Sequence, residues 1–221
     1  LAAYRWAVKH RAIAVLMSES SYHDSRRFFL KEAFKRWVCR NFDSALVGGT
    51  PQRDYLVSLG IPKERIFLGY DAVDNDFFRR SADEARANAA ENRKRLNLPE
   101  KYFLSVSRFV PFKNLPGLMT VYAQYRKKAG DAAWDLVVCG GGSCEPEIRE
   151  TIRRLGIGGV HLPGFMQSDT IGIYYGLAGC FVLASTVERW GLVVNEAMAS
   201  GLPVLVTRRA GASFDLVKDG E

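Results

Sequence analysis

The stretch at residues 185–206, STVERWGLVVNEAMASGLPVLV, constrains the fold more than any other part of the chain. The residues after Gly191 are apolar on nearly every side of a predicted helix, which indicates that the helix is buried against a sheet. Gly201 and Pro203 end this helix, and the apolar run at residues 204–206 predicts a buried strand. A buried helix that leads into a buried strand is typical of α/β proteins with a parallel sheet.

This stretch carries two carboxylates, Glu188 on the loop before the helix and Glu196 in its middle. A buried carboxylate is costly unless it is paired, so we expect Glu196 to meet either ligand hydroxyls or a cation such as Arg208 or Arg209. The backbone N–H groups that follow Gly191 are suited to a phosphate or a polarised hydroxyl group. The two glutamates could therefore contact different parts of one elongated ligand, although Glu188 could also be merely solvated.

The segment resembles the E-x7-E signature of retaining GT-B glycosyltransferases, specifically glycosyltransferase family 4. The matching residues are Glu188, Gly191, Leu192, Glu196, Ala197, Met198, Ala199, Gly201, Pro203 and Val204. Arg189 departs from the pattern, since many members have glycine at this position. The resemblance implies that Glu188 faces the donor sugar and that Glu196 accepts hydrogen bonds from the nucleotide ribose. It also implies that the start of the helix, at Gly191, Leu192 and Val193, contacts the donor.

Two cations, Arg108 and Lys113, follow a predicted strand in the loop SRFVPFKN. Cations at the carboxyl end of a parallel strand can bind a diphosphate and stabilise the charge that grows on it when a bond breaks. The loop resembles the family's G-R-x(4)-K segment, with Ser107 in place of the glycine. We therefore predict Arg108 and Lys113 as donor-binding residues, and these two together with Glu188 as the catalytic residues.

Two further turns resemble donor-binding segments of the family. The glycines at residues 140–142 follow a predicted strand, as in the family's V-x-G-x-G turn, and predict that Gly142 lies at the donor, although such glycines could equally serve only a tight turn. Phe165 and Met166 end the next strand, where family members hold the nucleotide base, so we predict both as donor-binding residues. Their side chains do not identify the base.

Apolar strands at about residues 102–106, 135–139, 159–162, 179–184 and 203–206 alternate with helices, which predicts a parallel sheet covered on both faces. Further strands are expected at residues 11–17, at 43–49 together with a turn, and at 65–74. The resemblance implies a GT-B fold, in which two Rossmann-like domains face each other across a cleft. The predicted domains are the latter part of an acceptor-side domain at residues 1–80, an exposed linker helix at 81–100 and a nucleotide-sugar-binding domain at 101–221.

The helix predicted at residues 25–42 has two interpretations. Its apolar side, formed by Leu30, Ala33, Phe34, Trp37 and Val38, favours an ordinary helix packed on a sheet. Its combination of basic and aromatic residues also fits an anionic membrane surface. The net charge of +7 is concentrated in this part of the chain, because residues 1–60 hold ten Lys and Arg against five Asp and Glu.

The composition excludes several classes of protein. No apolar run is long enough to span a membrane, and the four cysteines and three histidines are too scattered for a disulfide framework or a zinc site. Free thiols in an α/β pattern favour the cytosol, so we expect a cytoplasmic protein, peripheral to the membrane if the basic helix binds it. We predict no metal, no cofactor and no nucleic-acid partner.

The resemblance implies a retaining transferase that moves a sugar from a nucleoside diphosphate sugar to a hydroxyl of a glycan or lipid-linked acceptor. Two other classes remain open. The chain could be a nucleotide-sugar-binding module without transfer activity, because no counterpart of the family's first glycine-rich loop precedes Arg11. We therefore expect an incomplete acceptor domain and inefficient transfer. A GT-B nucleotide-sugar epimerase is disfavoured by the E-x7-E helix, and release of free nucleotide without transfer would favour it.

Overall fold

The computed structural model describes residues 2–22, 24 and 27–220. Its helices, numbered along the chain, are α1 (Ala2–Lys9), α2 (Phe29–Cys39), α3 (Thr50–Ser58), α4 (Asn75–Ala87), α5 (Ala89–Leu96), α6 (Leu115–Ala129), α7 (Glu145–Leu155), α8 (Ser168–Leu177), α9 (Leu192–Ala199) and α10 (Ala212–Asp215). Its strands are β1 (Val15–Ser18), β2 (Ser44–Val47), β3 (Ile66–Leu68), β4 (Tyr102–Val106), β5 (Asp135–Cys139), β6 (Val160–Gly164), β7 (Cys180–Leu183) and β8 (Val204–Val206).

The chain divides into two compact units. The first unit contains the residues up to 72, the loop at 187–191 and the residues from 208 onward. The second unit contains residues 73–186 and 192–207. This division differs from the predicted domain ranges, because residues 73–80 and the predicted linker group with the second unit, whereas two later segments group with the first. The assignment of acceptor and donor roles to the two parts stays a prediction.

The first unit is built on a parallel sheet of three strands in the order β1-β2-β3. Val15 pairs with Ser44 at one end of this sheet, and Ala45 pairs with Ile66. The core lies where α2 and α3 meet β2 and β3, and its buried residues are Cys39, Ala45, Val47, Tyr55, Leu56, Leu59, Ile61 and Ile66. The strands are shorter than predicted: β1 begins at Val15, and β3 ends at Leu68.

The second unit is built on a parallel sheet of five strands in the order β6-β5-β4-β7-β8. Each strand lies within one or two residues of its predicted position, because the runs are predominantly apolar, and the central strands β5, β4 and β7 are largely buried. Val106 of β4 pairs with Cys139 of β5, so these two strands end side by side. One part of the core is formed by Phe109, Leu115, Leu118, Met119, Tyr122, Leu136, Val138, Cys144 and Ile148. The predicted α/β class with parallel sheets is confirmed.

The predicted linker helix at 81–100 is exposed at most of its residues but has one buried side. This stretch forms the end of α4 and all of α5, and Ala82 and Ala85 of α4 are buried. They pack against α8, where a Cβ on Gly176 would lie only 2.7 Å from the Ala82 carbonyl oxygen and 2.8 Å from the Ala85 Cβ. Small residues on both helices permit this close approach, and a polar, alanine-rich sequence therefore hides a packed face.

The expectation that the apolar side of the basic helix packs on a sheet is wrong for four of its five residues, since Leu30, Ala33, Phe34 and Trp37 are all exposed. Leu30, Phe34 and Trp37 are 79%, 57% and 64% exposed. The inward side of α2 is instead held by a polar network around the buried Tyr55, whose hydroxyl donates to Glu32 over 2.7 Å and accepts from Lys35 over 2.9 Å. Residues 25 and 26 of the predicted helix lie outside the described residues. Within the described part of the chain, no helix has the length and apolar character needed to cross a membrane.

Candidate functional site

A cavity of about 220 Å³ lies at the carboxyl edge of the second sheet, beside the ends of β4 and β5. Its lining comes from the loops that follow three strands and from α8, and consists of Val106, Ser107, Arg108, Cys139, Gly140, Gly141, Phe165, Met166 and Ile171. Ligands of open α/β sheets bind at this edge, because the strand ends and helix starts leave polar backbone groups there. The structure thus brings three of the predicted donor-binding residues, Arg108, Phe165 and Met166, to one cavity.

Arg108 is an exposed cation at this cavity. Its guanidinium makes no hydrogen bond or ion pair with any of the described residues. Lys113 follows on the same loop, at the end of the short 3-10 turn Pro111–Lys113, with its amine 5.9 Å from the centre of the Phe112 ring. A loop with two cations beside a cavity can bind an anionic group such as a diphosphate.

The glycine turn after β5 holds this edge together. Gly140 has a φ of +139°, and a Cβ there would lie 1.8 Å from the Ser107 carbonyl oxygen, so only glycine fits. Gly142 is packed against the backbone of Phe109, whereas Gly141 has open space around its Cα and lines the cavity. The turn therefore has the structural role that the sequence left open. The predicted donor contact of Gly142 stays a prediction, and Gly141 is better placed for it.

Glu196 is half-buried in α9, and its partner is a tyrosine. The hydroxyl of Tyr175, which lies in α8, donates a hydrogen bond of 2.7 Å to Glu196 Oε2. Burial raises the pKa of Glu196, and the hydrogen bond from Tyr175 offsets part of this effect. Arg208, one of the two cations considered as a partner from the sequence, instead lies 3.6 Å from Asp219. Nothing in the sequence spacing signals the Tyr175 contact, because the two residues meet only when α8 and α9 pack.

Glu188 lies in the first unit, whereas Arg108, Lys113 and Glu196 lie in the second. The Glu188 N–H donates to the Arg209 carbonyl over 3.2 Å, and its own carbonyl accepts from the Gly211 N–H over 3.0 Å. Gly191, with a φ of +99°, ends the loop, and Leu192 and Val193 then begin α9 in the second unit. The two signature glutamates are therefore held by different parts of the fold.

Two polar features were not predicted as sites. The Ser107 hydroxyl is buried at the cavity and has no hydrogen-bond partner among the described residues. In the first unit, Glu19 and Tyr70 follow β1 and β3, and the Tyr70 hydroxyl donates to Glu19 over 2.9 Å. Asp71 lies next to them and against Gly48, since a Cβ on that glycine would lie 2.1 Å from its carboxylate. At Ser107 the sequence signal was the departure from the family pattern.

The raised pKa of Asp71 predicts how the thermal stability of the protein depends on pH. Burial, and secondarily the charge of Glu19, raise the pKa of Asp71 to about 6. A raised pKa means that this carboxyl group stabilises the fold most below its ordinary pKa of 3.8 and that this contribution is lost as the pH rises through about 6. We therefore expect Asp71→Asn to raise the thermal midpoint at about pH 8, with a gain that shrinks towards about pH 4.

The measurement is thermal unfolding of the parent and the variant across this range. Glu19→Gln, which removes the negative neighbour but keeps the burial of Asp71, should move the pH window of the effect downward. A gain from Asp71→Asn that is the same at acidic and alkaline pH would contradict the expectation.

Comparison with known proteins identifies the family. The sequence profile described as "Glycosyl transferases group 1" matches residues 88–221, which is more than half of the chain. The chain belongs to the group 1 glycosyl transferases. The match includes both cations, the glycine turn and both signature glutamates, so all the predicted site residues lie in the part that the family shares.

Curated relatives resemble the chain at moderate identity. A sucrose synthase of Acidithiobacillus caldus is 31% identical over 199 residues, which cover 81% of this chain and 24% of that protein. A GDP-mannose-dependent alpha-(1-6)-phosphatidylinositol monomannoside mannosyltransferase of Mycobacterium tuberculosis is 32% identical over 149 residues, covering 63% of this chain and 37% of that protein. The chain thus spans less than half the length of these two relatives.

The solved structure of Alr3699/HepE from Anabaena in complex with UDP has a similar fold. The TM-score is 0.77 at 20% identity, and the match covers 99% of this chain and 59% of that one. This similarity confirms the predicted GT-B fold class. Among the described residues of this chain, no group of three or more His, Cys, Asp or Glu side chains is placed to hold a metal ion.

Proposed function

We propose that this chain binds a nucleoside diphosphate sugar and takes part in transferring the sugar, with retention of configuration, to a hydroxyl of an acceptor. The observation that carries the proposal is the Arg108–Lys113 loop beside the cavity of the second unit. The Arg108 guanidinium is exposed and makes no hydrogen bond or ion pair with the described residues, so an anion can bind it without breaking an existing contact, and a diphosphate accepts hydrogen bonds from both cations. The UDP in the HepE structure and the GDP-mannose in the mannosyltransferase's name support this ligand class.

Each residue has a role that follows from its chemistry. During transfer, the bond between the anomeric carbon and the diphosphate oxygen breaks, and a bond to the acceptor oxygen forms. The acceptor proton passes to the departing diphosphate. Arg108 and Lys113 stabilise the charge that develops on the diphosphate. Glu196 accepts hydrogen bonds from the ribose, and Glu188 accepts them from the sugar hydroxyls, which orients the sugar without a metal or cofactor.

Two experiments distinguish this proposal from its alternatives. The first titrates UDP-, GDP- and ADP-sugars into the chain in the presence of a chelator, and binding of at least one of them is expected. The absence of binding to every donor would refute the proposal. The second incubates the bound donor with glycan and glycolipid acceptors. Binding without product would favour a binding-only module, whereas release of free nucleotide with an altered sugar and no transfer would favour an epimerase.

We further propose that α2 docks on an anionic membrane surface at the cytoplasmic face, where a lipid-linked acceptor would be found. Phe29 and Leu30 are 84% and 79% exposed, and the cations Lys31 and Arg36 are exposed on the same helix. Aromatic and basic residues exposed together suit the boundary between lipid headgroups and acyl chains. The phosphatidylinositol acceptor in the mannosyltransferase's name supports a lipid-linked acceptor.

This docking predicts binding to vesicles of phosphatidylcholine with phosphatidylglycerol that exceeds binding to phosphatidylcholine alone and that weakens with salt. Replacing both Lys31 and Arg36 with glutamine should weaken it by about 2 kcal/mol, at about 1 kcal/mol for each cation. Sedimentation with the vesicles measures this. Val121→Ser, at a 63% exposed apolar residue of the second unit, is the control and should leave binding unchanged. Equally negligible binding to both vesicle types would refute this docking.

A further inference from the structure

The loop that carries Glu188 is fixed by backbone hydrogen bonds on one side. Residue 188 forms a parallel bridge with Ala210, and the Trp190 carbonyl accepts from the Ala212 N–H over 3.0 Å. Between these two anchors lies Arg189, whose side chain is exposed. A Cβ on Gly211 would lie 2.0 Å from the Arg189 carbonyl oxygen, so the segment after β8 packs directly against the backbone of Arg189.

The side chain of Gln52 contacts the other side of the loop. This residue lies in the first turn of α3 and is completely buried. Its amide Nε2 donates a hydrogen bond of 2.5 Å to the Arg189 carbonyl. Its Oε1 is also buried and has no hydrogen-bond partner among the described residues. A buried amide with one unsatisfied oxygen is a poor choice for stability alone, because an apolar side chain of the same size would avoid the cost.

The Trp190 side chain packs on the turn between β2 and α3 of the first unit. The indole is 6% exposed and lies over the two glycines that follow β2. A Cβ on Gly49 would lie 2.3 Å from Trp190 Cζ3, and one on Gly48 would lie 3.5 Å from Cε3. Glycine at position 49 is therefore required for the ring to approach the backbone this closely. Asp215 also contacts this turn, because its carboxylate accepts a hydrogen bond of 2.8 Å from the Thr50 N–H at the start of α3.

We propose that Gln52 is a positioning residue for Glu188, and that it acts together with the packing of Trp190 on Gly48 and Gly49. Backbone hydrogen bonds at residue 188, the Gln52 hydrogen bond to the Arg189 carbonyl and the packing of Trp190 hold the chain on both sides of Arg189. These contacts together position the backbone that carries Glu188. The β2–α3 turn of the first unit thus sets the place of a residue whose proposed partner is the donor sugar. This inference rests on the proposed function, since Glu188 must contact the sugar for its position to matter.

The test compares donor preference in Gln52→Met, which keeps the size of the side chain but cannot donate a hydrogen bond. We define the donor preference as the dissociation constant of the nucleoside diphosphate divided by that of the corresponding nucleotide sugar. Calorimetry measures it for UDP against UDP-glucose and for GDP against GDP-mannose. We expect Gln52→Met to lower the preference about three- to tenfold, the range for one net hydrogen bond, and to leave nucleotide binding unchanged. Trp190→Phe is a second variant with the same expected direction, and Val57→Ala, at an exposed residue of α3, is the control.

A double-variant cycle separates positioning from a general structural role. In a Glu188→Ala background, Gln52→Met should have no further effect on the preference, because the residue that it positions is already absent. An equal loss in both backgrounds, or no loss in folded Gln52→Met and Trp190→Phe, would overturn the inference and leave the proposed function intact. No loss of preference in Glu188→Ala itself would refute the role of Glu188 and the inference with it. Thermal unfolding of each variant establishes that the compared proteins are folded.

Discussion

Replacing Arg108 or Lys113 with alanine should weaken the binding of a nucleoside diphosphate by about 1.5 to 3 kcal/mol, which is roughly 10- to 150-fold. This is the range for a hydrogen bond to a charged group. The effect of Arg108 is expected to be the larger, because its guanidinium makes no contact with the described residues that would have to be broken for binding. It can also contact two phosphate oxygens at once, whereas a lysine amine acts as a point charge.

Calorimetric titration of the parent and the two variants measures this loss. Lys101→Ala is the matched control, since Lys101 is an exposed cation at the opposite, amino end of β4 and its removal changes the net charge equally. We expect it to leave the dissociation constant within about twofold, because exposed charges separated by more than a Debye length are largely screened at 0.1 M salt. Unchanged affinity for Arg108→Ala and Lys113→Ala alike would contradict the proposed diphosphate site.

Glu196→Ala should weaken nucleotide binding by a similar amount, about 1.5 to 3 kcal/mol, through the ribose hydroxyls. The carboxylate is held in place by the buried Tyr175, whose hydroxyl donates to one of its two oxygens. A positioned carboxylate can accept hydrogen bonds from two neighbouring hydroxyls of a sugar ring. The same variant leaves the Tyr175 hydroxyl without its partner, so we also expect it to lower the free energy of unfolding by about 1 to 3 kcal/mol.

A change of ligand separates the two effects of this variant. A 2′,3′-dideoxynucleoside diphosphate lacks the hydroxyls that Glu196 would bind, so its affinity should be the same for the parent and for Glu196→Ala. Tyr175→Phe, which removes the donor but keeps the carboxylate, should lose part of the stability and less of the nucleotide affinity. An equal loss for the ribose and dideoxy ligands would show that Glu196 acts on the fold and does not contact the ribose.

The second unit could be predicted closely from the sequence. Its five strands lie at the expected positions because they are predominantly apolar runs bounded by glycine, proline or polar residues, and the three central strands β5, β4 and β7 are largely buried. The placement of Arg108, Phe165 and Met166 at one cavity follows from the same feature, since parallel strands end at one edge. In the first unit the strands are only three or four residues long, so their boundaries were predicted less well.

The sequence by itself determined which residues are apolar, where the strands of the second sheet run and which charged residues follow them. Only the tertiary structure decided what covers each surface. It gave Glu196 the Tyr175 hydroxyl as a partner in place of a cation, buried Ala82 of a polar helix and left Trp37 of an apolar helix face exposed. It also brought the Gln52 amide to the Arg189 carbonyl on the Glu188 loop, although the two residues are 137 positions apart along the chain. The physical reason is that periodicity along the chain records the character of a face, whereas contacts between distant residues depend on which helices pack together.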